Sequence, residues 1–545
     1  MIYYYSKAIY TADVYPAADI TTVDSMQQVL TYVRDQDRTG LDSETTGLNP
    51  LYCKPLLLQV GDAAEQYVID LRTIPKEEIL ELLNLLSEKL LLAHNGKFDY
   101  KIVRYHYGVR LMKWWDTMLG AQIYYNGLEH SYSLENLVLE MCKVYLNKNI
   151  RGAFINKPDT EPFTDREIRY SAEDVVYLEP MARIEREGLH RTDQMTAADL
   201  EMRVLPAVGE MELPGIPFDS VEWMDLNRQN KKKQRKVQLV LDRDLQRLAL
   251  THSSINGGMY THKRIFHTVV QKDLFGDSED KVIESEHEYN VNYGSSDQLA
   301  TLFEKLSVGI ASTTDKGKIS TKEEALEVFL KENKGHAAWT FVDHLLAFKK
   351  LRKLIDTYGE KFLQYLNKKT GNIHTQFSQC FTTTGRFSSG DDKIEMPKSA
   401  TRKKATTKKL FYYVNFQNIP VKDTPAYRRC FIAPGVTRSA DGKLVAGDYL
   451  YITYDLSGAE LRIMASNSQD PMLLDNFNKG LDLHTLLGNY SHRIINDNVV
   501  YEISAIERIE HKPVIFGLIY GAGPKRISEI LDIPMTTAKG IHFGI

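Results

Sequence analysis

Cysteine is scarce in this chain of 545 residues: there are four, Cys53, Cys142, Cys380 and Cys430, and none forms a CxxC pair. That spacing excludes a zinc ribbon and a disulfide framework and leaves reduced thiols. No apolar run reaches the length that spans a bilayer. The start, MIYYYSKAIYTADVYP, lacks a basic segment followed by an apolar core, so the expected location is the cytoplasm. Strong net charge is also missing. With 68 Lys and Arg against 72 Asp and Glu the balance is -4, so a surface for a polyanion has to come from local clusters. There is no internal repeat. What remains is an ordinary globular composition, 43% hydrophobic and 26% charged, in a chain long enough for two to four domains.

Residues 37–71 alternate short apolar runs with Gly and Pro and predict strands and a hairpin turn. Residues 75–92 turn to helical spacing, and LLAHNGKFDYKIV predicts a strand running into a helix. This alternation predicts an α/β domain over residues 1–192. Pro206, Pro214 and Pro217 then punctuate a boundary. A long charged helix is expected from Asp219 to about Leu250, including KKKQRK at Lys231 to Lys236, followed by an irregular insertion over residues 251–290. A further helical region is expected from Ser296 to Leu366, and the cationic run from Lys398 to Lys409 predicts a loop.

LDSETTG places Asp42 and Glu44 two apart in a strand, so both carboxylates leave one face, and their repulsion is relieved if cations sit between them. Asn95 and Asp99, and Tyr170 and Asp174, are four apart, which predicts one helix face for each pair. Any one of these is ordinary decoration; their order within one α/β segment is not. The triplet resembles the exonuclease motifs of the DEDD superfamily, ribonuclease H-like in fold, in the version found in polymerase proofreading domains. The resemblance implies that Asp42, Glu44 and Asp174 hold one Mg2+ and that Asp99 with Asp42 holds a second, with Mn2+ as an alternative ion. Tyr170 would orient the attacking water at 3′ ends of single-stranded DNA.

Downstream, Arg508, Lys512, Phe516 and Tyr520 recur every four residues, a helix stripe cationic at one end and aromatic at the other. Two cations suit a triphosphate and a ring suits a base or sugar face. Pro513 predicts that the helix starts or kinks there. YDLSGAELR reads as a buried strand ending at Asp455, with Glu460 just beyond. Together with QCFTTTGRFSS, NFQNIPV and GLDLHTLLG, these stretches are similar, in order, to the motifs of family A DNA polymerases.

That resemblance implies an α+β right hand over residues 193–545, with a thumb at about 219–366, a palm at about 367–490 and the start of fingers at about 491–545. Arg508 and Lys512 would bind the triphosphate of a deoxynucleotide, with Lys512 also protonating pyrophosphate. Phe516 would meet the nucleotide, Tyr520 the template-side stack and His484 the nucleotide phosphates, Glu460 would exclude ribose, and Asp455 with the Leu456 carbonyl would hold Mg2+. Arg386, Gln417 and Asn418 would contact primer-template DNA, with Lys349, Lys350 and Arg352 holding phosphates. Gly458, in place of the family's common Gln, points to phage relatives and hence to a host cytoplasm.

The family's His-Asp-Glu motif is not found in the chain, which leaves the polymerase site short of a carboxylate. The expectation is a replicative DNA polymerase with proofreading, incomplete at its C-terminus and completed by a second polypeptide carrying that motif. A stand-alone exonuclease or a DNA-binding remnant is the alternative.

Overall fold

The computed structural model describes residues 1–7, 19–147, 150–252, 262–272, 278–289, 291–310, 319–390, 413–420, 424–439, 441–496 and 502–544. It forms two units, Met1–Tyr449 and Leu450–Ile545. Among the described residues no helix is long and apolar enough to cross a membrane.

The first unit opens on strands β1 (Ile2–Tyr5), β2 (Ile20–Val23), β3 (Arg38–Thr45), β4 (Pro55–Gly61), β5 (Gln66–Asp70), β6 (Leu90–Ala93) and β7 (Trp114–Asp116). They form one mixed sheet in the order β2-β1-β5-β4-β3-β6-β7, with β4 antiparallel to both β3 and β5. The sheet is covered by α1 (Met26–Asp35), α2 (Lys76–Leu86), α3 (Lys97–Tyr107), α4 (Thr117–Tyr124), α5 (Leu134–Cys142), α6 (Asp165–Val176) and α7 (Leu178–Arg191). Leu41, Leu58, Val60, Leu82, Leu83, Leu91, Tyr100 and Val175 meet in its core. An α/β layering is the result, because strands buried on both faces need helices to cover them.

The core of the sheet domain takes in residues beyond 192. Helix α8 (Met195–Glu212) runs through Pro206 and places Ala198, Met202 and Leu205 in the core of the sheet domain. Burial of this apolar face outweighs the hydrogen bond that Pro206 removes.

Beyond α8, a short β8 (Ile216–Pro217) leads to α9 (Ser220–Thr251), capped by the Asp219 carboxylate. Residues 262–272 and 278–289 correct the expectation of an irregular insertion: β9 (His262–Lys272) and β10 (Ser278–Tyr289) form an antiparallel ribbon with a bulge between Ser285 and His287. Helices α10 (Ser296–Lys305), α11 (Glu323–Glu332) and α12 (Trp339–Tyr358) join α9 around Leu245, Phe303, Phe329 and Phe341. At the other end of α9, Trp223 stacks on Phe362 with centroids 4.2 Å apart. The unit closes with short pairs β11 (Asn372–Ile373) with β8, β12 (Phe377–Ser378) with β13 (Ser388–Ser389), and β14 (Thr437–Arg438) with β15 (Leu444–Val445), plus α13 (Ala426–Arg429). The cationic run at 398–409 lies outside the described residues.

The second unit is helical: α14 (Ala459–Ser468), α15 (Pro471–Asn478), α16 (Leu483–Ile495), α17 (Ala505–Ile519), α18 (Pro524–Leu531) and α19 (Met535–Gly544). Leu461, Leu473, Leu483 and Ile515 form one cluster, and Val514, Ile527, Ala538 and Ile541 another. Helix α17 continues through Pro513 and starts at a capping box of Ser504 and Glu507, so Arg508 and Phe516 belong to one continuous helix. The segment before α14 forms no strand, and Asp455 lies in an exposed, unpaired stretch. This overturns the reading of YDLSGAELR as a buried strand: Ile452 is 88% and Tyr454 is 89% exposed.

Candidate active site

Strand β3 alternates as its sequence requires, with Asp42 and Glu44 half-buried on one face and Leu41, Ser43 and Thr45 buried. Helix α6 passes over this sheet with Tyr170 and Asp174 one turn apart. Its start is fixed by a capping box: the Thr164 hydroxyl accepts the Glu167 N–H, and the Glu167 carboxylate accepts the Thr164 N–H at 2.8 Å. Lys157, itself buried, holds the other Glu167 oxygen at 3.0 Å. Oxygens of Asp42, Glu44 and Asp174 come within 4.8 Å of one another. Three hard oxygen donors at that separation fit a divalent cation of the Mg2+ or Mn2+ kind and repel one another without it.

Asp99 lines the same pocket of about 380 Å3, with Tyr170, but stands outside that trio. Its carboxylate is 2% exposed and accepts the Ser43 hydroxyl at 2.5 Å. Burial, then the nearby Asp42 charge, push its pKa well above the usual carboxylate range. Asn95 departs from the expected helix face: it precedes α3 with φ 63°. The following Gly96 is required there, because a Cβ would sit 2.8 Å from the Ala93 Cβ and 2.9 Å from the Trp114 ring. The backbone N–H groups of Asn95 and Gly96 are gathered by Asp116, at 3.0 and 2.8 Å, and the same carboxylate caps α4 through Met118 N–H at 2.9 Å. Sequence reasoning missed Ser43 and Asp116. Asp before an apolar run is a helix-cap signal, so Asp116 carried a readable sign and Ser43 did not.

In the second unit, α16 and α17 bring together four of the expected residues. The Arg508 guanidinium pairs with the Asp482 carboxylate through two contacts, Nη2 to Oδ1 at 3.0 Å and Nε to Oδ2. That pairing holds the Asp482 carboxyl far below its ordinary range. His484 is 6% exposed, with its ring 5.4 Å from Phe516, and burial lowers its basicity. Lys512 lies 5.6 Å from the Phe516 ring centre, while Tyr520 is 65% exposed. Arg508 is therefore already engaged by an acid, which the four-residue stripe did not reveal. Glu460 occupies the first turn of α14, half-buried. Asp455 and Leu456 are exposed, and among the described residues Asp455 joins no cluster of three metal-ligating groups.

Arg386, Gln417 and Asn418 lie at the surface near β13: the Gln417 side chain donates to the Phe387 carbonyl at 2.5 Å, and Tyr358 donates to the Asn418 carbonyl. The cations expected on α12 are engaged within the fold. Lys349 donates to the Thr321 carbonyl at 2.5 Å, Lys350 lies 3.3 Å from Glu327 and Arg352 lies 3.1 Å from Asp356.

Residues 270–542 match the family described as DNA polymerase family A, and residues 18–184 match a family described as 3′-5′ exonuclease. A DNA polymerase I from Aquifex aeolicus is 25% identical over 94% of this chain and 73% of its own length. A thermostable DNA polymerase I from Thermus thermophilus is 32% identical over 46% of this chain, and that alignment spans 25% of the relative. Among solved structures, the POL domain of Pol1 from M. smegmatis, in complex with DNA primer-template and dNTP, superposes with a TM-score of 0.64 over 99% of this chain and 76% of that one. At 21% identity the likeness is one of fold.

Proposed function

Because the chain belongs to DNA polymerase family A and carries a 3′-5′ exonuclease domain, we propose that it removes nucleotides from the 3′ ends of single-stranded DNA as the proofreading half of a replicative polymerase. The observation that carries this reading is the meeting of Asp42, Glu44 and Asp174 in one pocket with Asp99 and Tyr170. Asp42, Glu44 and Asp174 would hold one Mg2+, and Asp99 with Asp42 a second; bound there, the ions stabilise the charge that builds on a phosphodiester under in-line attack. Tyr170, on the helix that also carries Asp174, holds the attacking water. Phe98 and Leu48, at the pocket wall, flank the terminal nucleotide. Asp42→Ala in the full chain is expected to lower Mg2+-dependent degradation of a single-stranded oligonucleotide on the order of a thousandfold. Unchanged degradation would count against the assignment.

For the polymerase half, Lys512 and Phe516 meet the incoming deoxynucleotide beside His484, and Glu460 bars ribose. Arg508 joins them by leaving Asp482 for the triphosphate. Arg386, Gln417 and Asn418 contact primer-template DNA, and the affinity falls as salt rises. Asp455, with the Leu456 carbonyl, would hold Mg2+ for nucleotide addition only together with further carboxylate ligands. A second polypeptide carrying the His-Asp-Glu motif would supply them. Primer extension by the chain alone, with a rate unaffected by such a partner, would refute that dependence.

A further inference from the structure

Ser43 stands between Asp42 and Glu44 on β3, and alternation along the strand sends its side chain to the face opposite theirs. Leu41, on the same face as Ser43, packs in the core that also takes Tyr100 and Val103 of α3. There the Ser43 hydroxyl donates to Asp99 Oδ1 at 2.5 Å. Both residues are buried, so water does not compete for the bond. A hydroxyl on a carboxylate at this distance is among the stronger hydrogen bonds of a protein.

The helix under Asp99 is fixed independently. Lys97 and Lys101, one turn apart on α3, both reach the Glu212 carboxylate at the end of α8, and helical geometry puts Asp99 on the far side of α3 from them. With the backbone held there, the rotation of the Asp99 carboxyl group is left to Ser43.

That rotation bears on the ion. Asp99 lines the acidic pocket with Asp42, and with Oδ1 drawn to Ser43 the oxygen left for an ion is Oδ2. Mg2+ demands a near-octahedral shell at about 2.0–2.1 Å and takes one oxygen from each of a few carboxylates. Mn2+ favours the same octahedral oxygen shell. Ca2+ takes about six to eight oxygens at roughly 2.3–2.6 Å and readily accepts both oxygens of one carboxylate. A carboxylate pinned at one oxygen therefore suits the smaller ions, and one free to turn suits Ca2+ as well.

We propose that Ser43 is a positioning residue that sets metal choice: by holding Asp99 Oδ1 it keeps Asp99 a one-oxygen ligand of the second ion and so favours Mg2+ or Mn2+ over Ca2+. The inference rests on the exonuclease reading and adds to it the residue that selects the ion.

The test is made on the full chain with metal alone. Mn2+ is titrated in, its free fraction is read by electron paramagnetic resonance, and Ca2+ is then added as competitor. The binding event that Asp99→Asn removes identifies the second ion; if Asp99→Asn removes none, the proposal is overturned. In Ser43→Ala that ion is expected to bind about tenfold more weakly as Mn2+ and to be displaced at a Ca2+ to Mn2+ ratio about tenfold lower than in the wild type. Ser43→Thr, which keeps the hydroxyl, should restore the wild-type ratio. An unchanged ratio in Ser43→Ala, even with weaker binding of both ions, would mean that Ser43 only supports the fold, and would overturn the proposal. A threonine variant with the alanine ratio would do so too. Should Ser43→Ala fail to fold, Ser43→Cys, a weak donor of similar size, is expected to shift the ratio toward Ca2+, and the wild-type ratio there would count against Ser43. Failure of the exonuclease reading has a separate signature: the wild-type chain with Mg2+ would leave a single-stranded oligonucleotide intact, whatever its ion preference.

Discussion

Glu185 sits fully buried on α7, with Oε2 accepting the Trp115 indole N–H at 2.9 Å and Oε1 without a partner among the described residues. Burial pushes its carboxyl well above the ordinary value of 4.5. Below that value both folded and unfolded chains are protonated here, and the site costs nothing. As pH rises past it the unfolded chain ionises first, so stability is lost until the folded carboxyl ionises as well. Glu185→Gln keeps an acceptor for Trp115 and removes the titration. Thermal melts are expected to show a more stable variant at neutral pH, with the gain vanishing near pH 4; a gain independent of pH would refute the account. The metal-ligand candidates and this buried acid differ in legibility for a physical reason. Asp42, Glu44, Tyr170 and Asp174 are spaced by the periods of a strand and a helix, so local sequence places them on faces. Glu185 and Ser43 matter through partners far away in the chain, Trp115 and Asp99, and no local period marks those partners.

Among the elements, α6 depends on its first turn to hold Tyr170 and Asp174 over β3. Thr164→Ala removes the capping oxygen and is expected to cost about 1 kcal/mol in denaturant unfolding of the first unit. Exonuclease turnover should fall far less than in Asp174→Ala, and equal losses would show that the cap sets the geometry of the trio rather than its stability. The strands and helices of the first sheet were legible because apolar periods and glycines agree there. The ribbon of β9 and β10 was not: its alternation, IFHTVVQ facing KVIESEHEY, is diluted by charge, so the stretch reads as irregular. Helices α8 and α17 were misjudged for the opposite reason. A single proline reads as a break, yet tertiary burial of Leu205 on one and of Val514 and Ile515 on the other carries the helix through.

Across the whole chain, burial is uneven. The sheet domain has a continuous core, while the stretch from Tyr449 to Leu456 forms no strand and leaves Leu450 85% and Ile452 88% exposed among the described residues. Apolar backbone in this state invites pairing with another chain. Leu450→Lys with Ile452→Lys is therefore expected to reduce concentration-dependent light scattering without changing single-strand degradation; unchanged scattering would place the sticky surface elsewhere. Glu212 on α8 accepts the Lys97 and Lys101 ammonium groups at 2.7 and 2.6 Å and the Phe377 N–H at 2.7 Å, and this network has a consequence for heredity rather than solubility. Two lysines from the sheet domain, one carboxylate from α8 and the main chain at Phe377 share one buried network, so a recombination joint at residue 192 would strand cations in the interior and uncover Tyr100 and Val103. Such a joint could be passed on only together with α8 and the strand at Phe377, which makes the heritable module larger than the catalytic fold it contains.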